Sequence, residues 1–220
     1  YQGRKPVLWC HVCETALADA EVEYKDTSSP SIYVRFPFTP SVGEKVPELA
    51  GRKGSVVFWT TTPWTMPGNR LLAFGDAITY DVVEVKAVAE GALPKVGEKI
   101  VVAHELLEAT LKAAKITEHA VVDSVKGEAF TGTVCRHPFA GQGYDFPVPM
   151  YAGDFVTTEA GTGFVHGAPG HGEDDWILGM KHNVPVPDTV DGEGKYMAHV
   201  PLFAGKHVFK IDADMIAALT

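Results

Sequence analysis

The sequence predicts a mainly β fold with peripheral helices, of the α+β class. Short apolar and β-branched runs dominate the chain, and Gly, Pro, Asn or Asp punctuates most gaps between them. Helical spacing of apolar residues is confined to a few segments. The 22 Gly and 15 Pro imply numerous loops, as in a barrel or a sandwich.

In chain order, the apolar runs at residues 6–9 (Pro-Val-Leu-Trp) and 21–24 (Glu-Val-Glu-Tyr) are the first strand candidates. Residues 32–36 (Ile-Tyr-Val-Arg-Phe), 55–60 (Ser-Val-Val-Phe-Trp-Thr) and 71–74 (Leu-Leu-Ala-Phe) follow, the last closed by Gly75-Asp76. Residues 81–85, 99–102, 120–125 and 163–165 complete the strand set, rich in Val and Ile. A helix is predicted over 103–115, where Leu106, Leu107, Ala109, Leu111 and Ala114 form an apolar face. Residues 174–182 and 212–219 are the other helices. No repeat, charge block or low-complexity tract interrupts this pattern.

With 220 residues, 45% of them hydrophobic, the chain can bury the core of one domain, 1–220, or of one domain with an elaborate insert. No apolar stretch approaches the roughly 18 residues of a membrane span, and no signal peptide opens the chain. Three cysteines, an odd number, suit a reducing cytosol better than a disulfide framework. The first residue is Tyr1, and the last residues fall inside an apolar, helix-like run, as expected for a domain cut from something larger. A net charge of −9 argues against a broad nucleic-acid-binding face. It leaves room for a pocket that takes only the end of a nucleic acid held elsewhere.

Two blocks carry the chemistry. In the first, Thr60, Thr61 and Thr62 lie between the apolar stretch 56–59 and Pro63-Trp64-Thr65. Strand alternation places Thr60 and Thr62 on one face and Thr61 on the other. Their hydroxyls can hold a carbonyl or a water without adding charge. Thr is also an ordinary strand former, but Pro63 and Pro67 fix a rigid path after the strand, a common way to present site residues. The second block is Gly161-Thr162-Gly163-Phe164-Val165-His166, followed by Gly170-His171-Gly172-Glu173-Asp174-Asp175. Its glycines permit close approach of a ligand to the backbone. Acids at 174 and 175 fit the first turn of a helix, where one can complement the dipole while the other faces the pocket.

Other chemistries find less support. The glycines form no phosphate loop, since no Gly-Lys-Ser/Thr follows. His166, His171, Asp174 and Asp175 match no standard zinc spacing, and no metal is assigned to them. Cys10 and Cys13 form a bare CxxC, whose completion requires two further ligands; Cys135 and His137 are the available candidates. Gly-x-Ser-x-Gly is absent, and no Cys stands in a catalytic setting.

At these blocks the chain resembles the editing domain, or connective polypeptide 1, inserted in bacterial-type class I isoleucyl-tRNA synthetases. The resemblance runs from Lys5-Pro6-Val7-Leu8-Trp9-Cys10 and the stretch 18–24, through Thr60-Thr61-Thr62-Pro63-Trp64-Thr65 and Asn69, to the block 161–172. Valyl and leucyl relatives typically carry Thr-Arg-Pro where this chain has Thr61-Thr62-Pro63, and they lack a His at the position of His166. Phe164 and Gly167 depart from the smaller aliphatic and Thr residues of many members. The HIGH and KMSKS motifs of adenylate formation are absent, so no amino-acid activation is expected of this segment.

The resemblance implies a closed β-barrel-like core, with 1–25 and 205–220 as junctions toward the synthetase body. It implies hydrolysis of valine esterified to isoleucine tRNA, with Asp175 binding the α-ammonium. Thr60, Thr61 and Thr62 would line the pocket and position the ester or the water, and Trp64 would form a wall. His166 would contact the amino-acid side chain or the terminal adenosine, Asn69 would support the site, and Gly163, Phe164 and Asp174 would join the substrate-binding set. No cofactor is expected in this domain; ATP and Mg belong to the catalytic domain. The implied partners are the 3′ end of tRNA(Ile) carrying valine and the rest of the synthetase, in a cytoplasmic monomer with no membrane contact. The alternatives are an editing domain of valyl or leucyl type, a metal-dependent hydrolase using His166, His171 and Asp175, and a non-catalytic module for an amino acid or tRNA end.

Overall fold

The computed structural model describes residues 5–49 and 54–220. The chain begins with a two-stranded antiparallel ribbon, β1 (Trp9–Cys10) and β2 (Thr15–Ala16). Next come β3 (Ile32–Pro37), a single helical turn α1 (Val42–Lys45), β4 (Gly54–Thr60) and β5 (Leu71–Phe74). The segment between β4 and β5 is a 3-10 helix, Pro63–Gly68. Then come β6 (Thr79–Val88), β7 (Lys99–Ala103), α2 (Leu107–Ala113) and β8 (Ile116–Lys126). The chain continues through β9 (Val134–Arg136), β10 (Pro147–Ala152), β11 (Phe164–Gly167), α3 (Glu173–Lys181) and α4 (Asp212–Leu219).

Two mixed sheets result. One has the order β3-β4-β7-β6-β8, the other β11-β5-β10-β9. β4 pairs antiparallel with β3, Thr60 opposite Ile32, and parallel with β7. β11 pairs antiparallel with β5, which sets His166 opposite Leu72. The inner faces of both sheets share one core, in which Phe36, Phe58, Phe74, Tyr80 and Phe130 are fully buried. The outer face of β5, through Leu71 and Ala73, meets Leu178 of α3 in a second apolar cluster. The smaller sheet is therefore covered on both sides, which explains the four buried residues of β5, where no polar alternation is possible.

Among the described residues the closed barrel-like core is not found. The sheets touch at a corner, through the isolated bridge Phe38–Cys135 and the bond from the Ala103 N–H to the Thr162 carbonyl (2.8 Å). The far edge, β8, pairs with β6 alone, and exposed residues recur along it. A barrel requires its last strand to meet its first, and β8 does not.

The strand candidates at 32–36, 55–60, 71–74, 81–85, 99–102, 120–125 and 163–165 coincide with strands, several of them longer than expected. Two do not: 6–9 contributes only Trp9 to a strand, and 21–24 forms none. β9, only three residues long, and β10, with its two prolines, escape the sequence pattern. Pro147 and Pro149 lie where β10 pairs with β9 only, and pairing with β5 begins at Met150, so neither missing N–H interrupts a two-sided ladder. The helix expected over 103–115 is divided: Ala103 ends β7, a 3-10 turn spans His104–Leu106, and α2 stops before Lys115, whose φ is +57°. The helices at 174–182 and 212–219 are present as α3 and α4.

Candidate active site

β4 delivers Thr60 to the end of the larger sheet, and the strand ends there. Thr61 and Thr62 leave the sheet, and Pro63 occupies the first turn of the 3-10 helix, where its missing N–H would have no helical partner. The Thr60 and Thr62 hydroxyls nevertheless meet, Oγ1 to Oγ1 at 3.2 Å, and the Thr62 N–H donates to Thr60 Oγ1 at 3.1 Å. Thr60 is buried, whereas Thr61 and Thr62 are exposed. The hydroxyl of Thr65 donates to the Thr62 carbonyl at 3.0 Å, so the run curls back on itself.

β11 brings His166 to this hydroxyl chain from 101 residues away: its Nε2 lies 2.8 Å from Thr65 Oγ1. The amide Nδ2 of Asn69 lies 3.2 Å from His166 Nδ1 and also donates to the Leu71 carbonyl at 3.0 Å. A carbonyl can only accept, so this end of the Asn69 amide is the donor and Nδ1 is the acceptor. His166 is then the Nε2–H tautomer, donating to Thr65, which donates onward to Thr62. Burial, with His171 nearby, pushes His166 down to about 4, so the imidazole is neutral at physiological pH. Phe58 packs against its ring at 5.1 Å between centroids.

The loop after β11 leads into α3 and supplies the charge. Asp175 Oδ2 accepts from the Ala168 N–H at 2.9 Å. A Cβ at Gly172 would fall 2.7 Å from the same oxygen, so a larger residue there would displace the carboxylate. Burial raises Asp175 above the usual carboxylate range, against the pull of the Ala168 N–H, and the charge of Asp174 adds to the rise. Among the described residues no Lys, Arg or His forms an ion pair with it. Asp174 points to solvent in the same first turn of α3. Trp64 packs edge-on against His171 at 4.9 Å, and His171 Nε2 bonds the Thr189 hydroxyl at 3.0 Å.

The structure thus joins Thr60, Thr62, Asn69 and His166 in one hydrogen-bonded cluster, flanked by Trp64 and His171. Gly163 and Phe164 stand apart from this network. The Gly163 carbonyl accepts from Tyr80 O–H at 2.6 Å, and Phe164 packs in the core against Tyr80, ring centroids 4.4 Å apart and tilted by 34°. Thr65 was missed in the sequence, although it belongs to the same run. Its spacing of three from Thr62, just past an N-terminal Pro, is the helical signal that would have found it. Both nitrogens of His166 are engaged, and among the described residues no three His, Cys, Asp or Glu side chains are grouped to hold a metal. Nor are Cys135 and His137 available to Cys10 and Cys13. Cys135 is buried against Met150, while His137 bonds the Met66 carbonyl and the Phe139 N–H.

Comparison with known proteins bears on the family and the fold. A family model described as "Leucyl-tRNA synthetase, editing domain" matches residues 91–209. The isoleucine–tRNA ligase of Gluconobacter oxydans is 45% identical over 219 residues, covering all of this chain and 22% of that protein. That of Pelagibacter ubique is 46% identical over 219 residues, covering 23% of its length. The chain therefore spans about a fifth of the curated relatives it matches. Among solved structures, one described as GlLeuRS-CP1 superposes with a TM-score of 0.64 at 14% identity, over 86% of this chain and 95% of that one. The editing domain of the P. falciparum cytosolic leucyl-tRNA synthetase gives 0.51 at 13% identity, over 71% and 68% of the two chains. These two likenesses concern the fold alone.

Proposed function

The chain belongs to the synthetase family described as "Leucyl-tRNA synthetase, editing domain", and on that premise we propose that it performs post-transfer editing within an isoleucyl-tRNA synthetase. The reaction is hydrolysis of the ester joining valine to tRNA(Ile). A water oxygen bonds to the carbonyl carbon, the bond to the ribose oxygen breaks, and valine and free tRNA leave. The observation that carries this reading is Asp175, a carboxylate drawn out of water with no cationic partner among the described residues, held by the N–H of Ala168, two residues beyond His166 in the chain. Such a carboxylate is suited to an α-ammonium, which a charge-assisted hydrogen bond would fix.

Editing answers a physical need. A single methylene supplies only about 1–3 kcal/mol of discrimination, a limit for which isoleucyl-tRNA synthetase is itself the standing example. A second site must therefore sort by size. Trp64 and His166 would bound the space for the side chain, and Thr60, Thr61 and Thr62 would orient the ester carbonyl and the water. The neutral His166 has no free basic nitrogen, since Nδ1 accepts from Asn69 and Nε2 donates to Thr65. The neighbouring ribose hydroxyl would assist the positioned water, relaying its proton to the ribose oxygen that leaves, and the chain's contribution would be orientation and exclusion. The tRNA 3′ end and the rest of the cytoplasmic synthetase are the proposed partners. Among the described residues no helix is long and apolar enough to cross a membrane.

Deacylation of valyl-tRNA(Ile) by the full-length synthetase tests the reading. Asp175→Ala is expected to abolish the rate and His166→Ala to change which amino acid is spared. An Asp175→Ala enzyme that deacylates at the parent rate overturns the site.

A further inference from the structure

The 3-10 helix Pro63–Gly68 carries Trp64 and Thr65, and its own sequence deprives it of a hydrogen bond. In a 3-10 helix each carbonyl accepts from the N–H three residues on. For Trp64 that residue is Pro67, which has no N–H. A buried carbonyl without a donor is costly, and such groups are almost always paired. Here the donor comes from 132 residues away: the hydroxyl of Tyr196, a side chain only 2% exposed, donates to the Trp64 carbonyl at 2.6 Å.

A second ring acts two residues further on. His137 Nε2 lies 3.1 Å from the Met66 carbonyl, which also accepts the Asn69 N–H at 3.1 Å. The Phe139 N–H donates to His137 Nδ1 at 3.1 Å, which leaves the proton on Nε2, pointed at Met66. The imidazole stacks on Tyr144 at 4.8 Å, 15° from parallel. Two aromatic side chains from distant loops thus grip the carbonyl side of the segment whose other side chains reach His166 and His171.

We propose that Tyr196 is a positioning residue of the site, seconded by His137. Its hydroxyl replaces the N–H that Pro67 lacks, and so holds Trp64 at the height where it bounds the substrate side chain and Thr65 in reach of His166, the other wall. This rests on the editing reading, because the walls it sets are those of the valine pocket. Neither residue touches substrate. Their effect passes through the backbone of residues 64–66.

The test is Tyr196→Phe in the full-length synthetase, which removes one hydroxyl and keeps the ring. Valyl-tRNA(Ile) deacylation is expected to lose about tenfold in kcat with KM nearly unchanged, and the preference for valyl over isoleucyl ester to fall. The fluorine resonance of fluorotryptophan at position 64 should shift as well. Adding Pro67→Ala supplies the missing N–H, so the double variant should regain rate and resonance relative to Tyr196→Phe alone. A merely structural role would lower the melting temperature and leave the ester preference and the Trp64 resonance in place. An unshifted Trp64 resonance, or a shift with kcat and preference unchanged, overturns the proposal. A parent enzyme that fails to deacylate valyl-tRNA(Ile) sinks the editing reading instead, and the resonance with its rescue by Pro67→Ala still decides the positioning claim.

Discussion

Asp175 and His166 illustrate opposite uses of burial. Burial raises the carboxylate and lowers the imidazole, so each is pushed toward its neutral form. For His166 the consequence is a fixed tautomer in a chain of donors. For Asp175 the raised folded value means that the ionised side chain costs folding free energy at neutral pH, a cost that protonation or a cationic ligand relieves. Asp175→Asn keeps an acceptor for the Ala168 N–H and removes the charge. Its melting temperature is therefore expected to equal or exceed that of the parent at pH 7, while deacylation falls about a hundredfold, equivalent to about 2.7 kcal/mol. A clear drop in melting temperature would mean that the carboxylate is structural. The sequence marked the acids at 174 and 175 together; which of them turns inward, Asp175 toward the Ala168 N–H, was not legible, because helix phase is decided by the docking of α3 on β5 and β11.

At the scale of elements, the entry into β11 controls the site. Gly163 has φ +80°, and a Cβ there would fall 2.4 Å from the Cβ of Ala103. The Gly-Thr-Gly turn thus lets β11 start beneath the end of β7 and carry His166 toward Thr65. Gly163→Ala meets both penalties, roughly 1–2 kcal/mol for the left-handed backbone and roughly 1–3 kcal/mol for overpacking. Urea unfolding should show a loss of that combined order, and a midpoint equal to the parent's would refute the steric account. The sequence marked this glycine as an opening for a ligand, whereas its neighbours are core atoms. Local composition reports that a glycine is needed; only the strand packed above it tells why. β10 makes the same point, since prolines that argue against a strand are harmless where one edge of it is free.

At the scale of the whole molecule, pH acts through groups of opposite sign. His137, His166 and His171 fall to about 3, 4 and 4 from an unfolded value of 6.5, chiefly by burial. The unfolded chain takes up these protons first, so stability is complete above 6.5 and is lost as pH falls toward 4. His104 is raised by its hydrogen bond to buried Asp81, 2.7 Å away, and its contribution is complete below 6.5 and lost as pH rises through the folded value. Melting curves should therefore fall steeply on the acid side. The gap between parent and His104→Gln should narrow above neutrality; a gap independent of pH would rule out the ion pair. By itself the sequence determined the β-rich class, most strand positions, the span of α3, and the two blocks that carry threonines, imidazole and carboxylates. These follow from side-chain periodicity and backbone preference, which act over a few residues. Only the tertiary structure decided that the sheets stay open, that Thr65 meets His166 across 101 residues and that Tyr196 answers Pro67 across 132. Such partners are chosen by strand register and loop packing, and no local pattern encodes which distant donor will satisfy a given carbonyl.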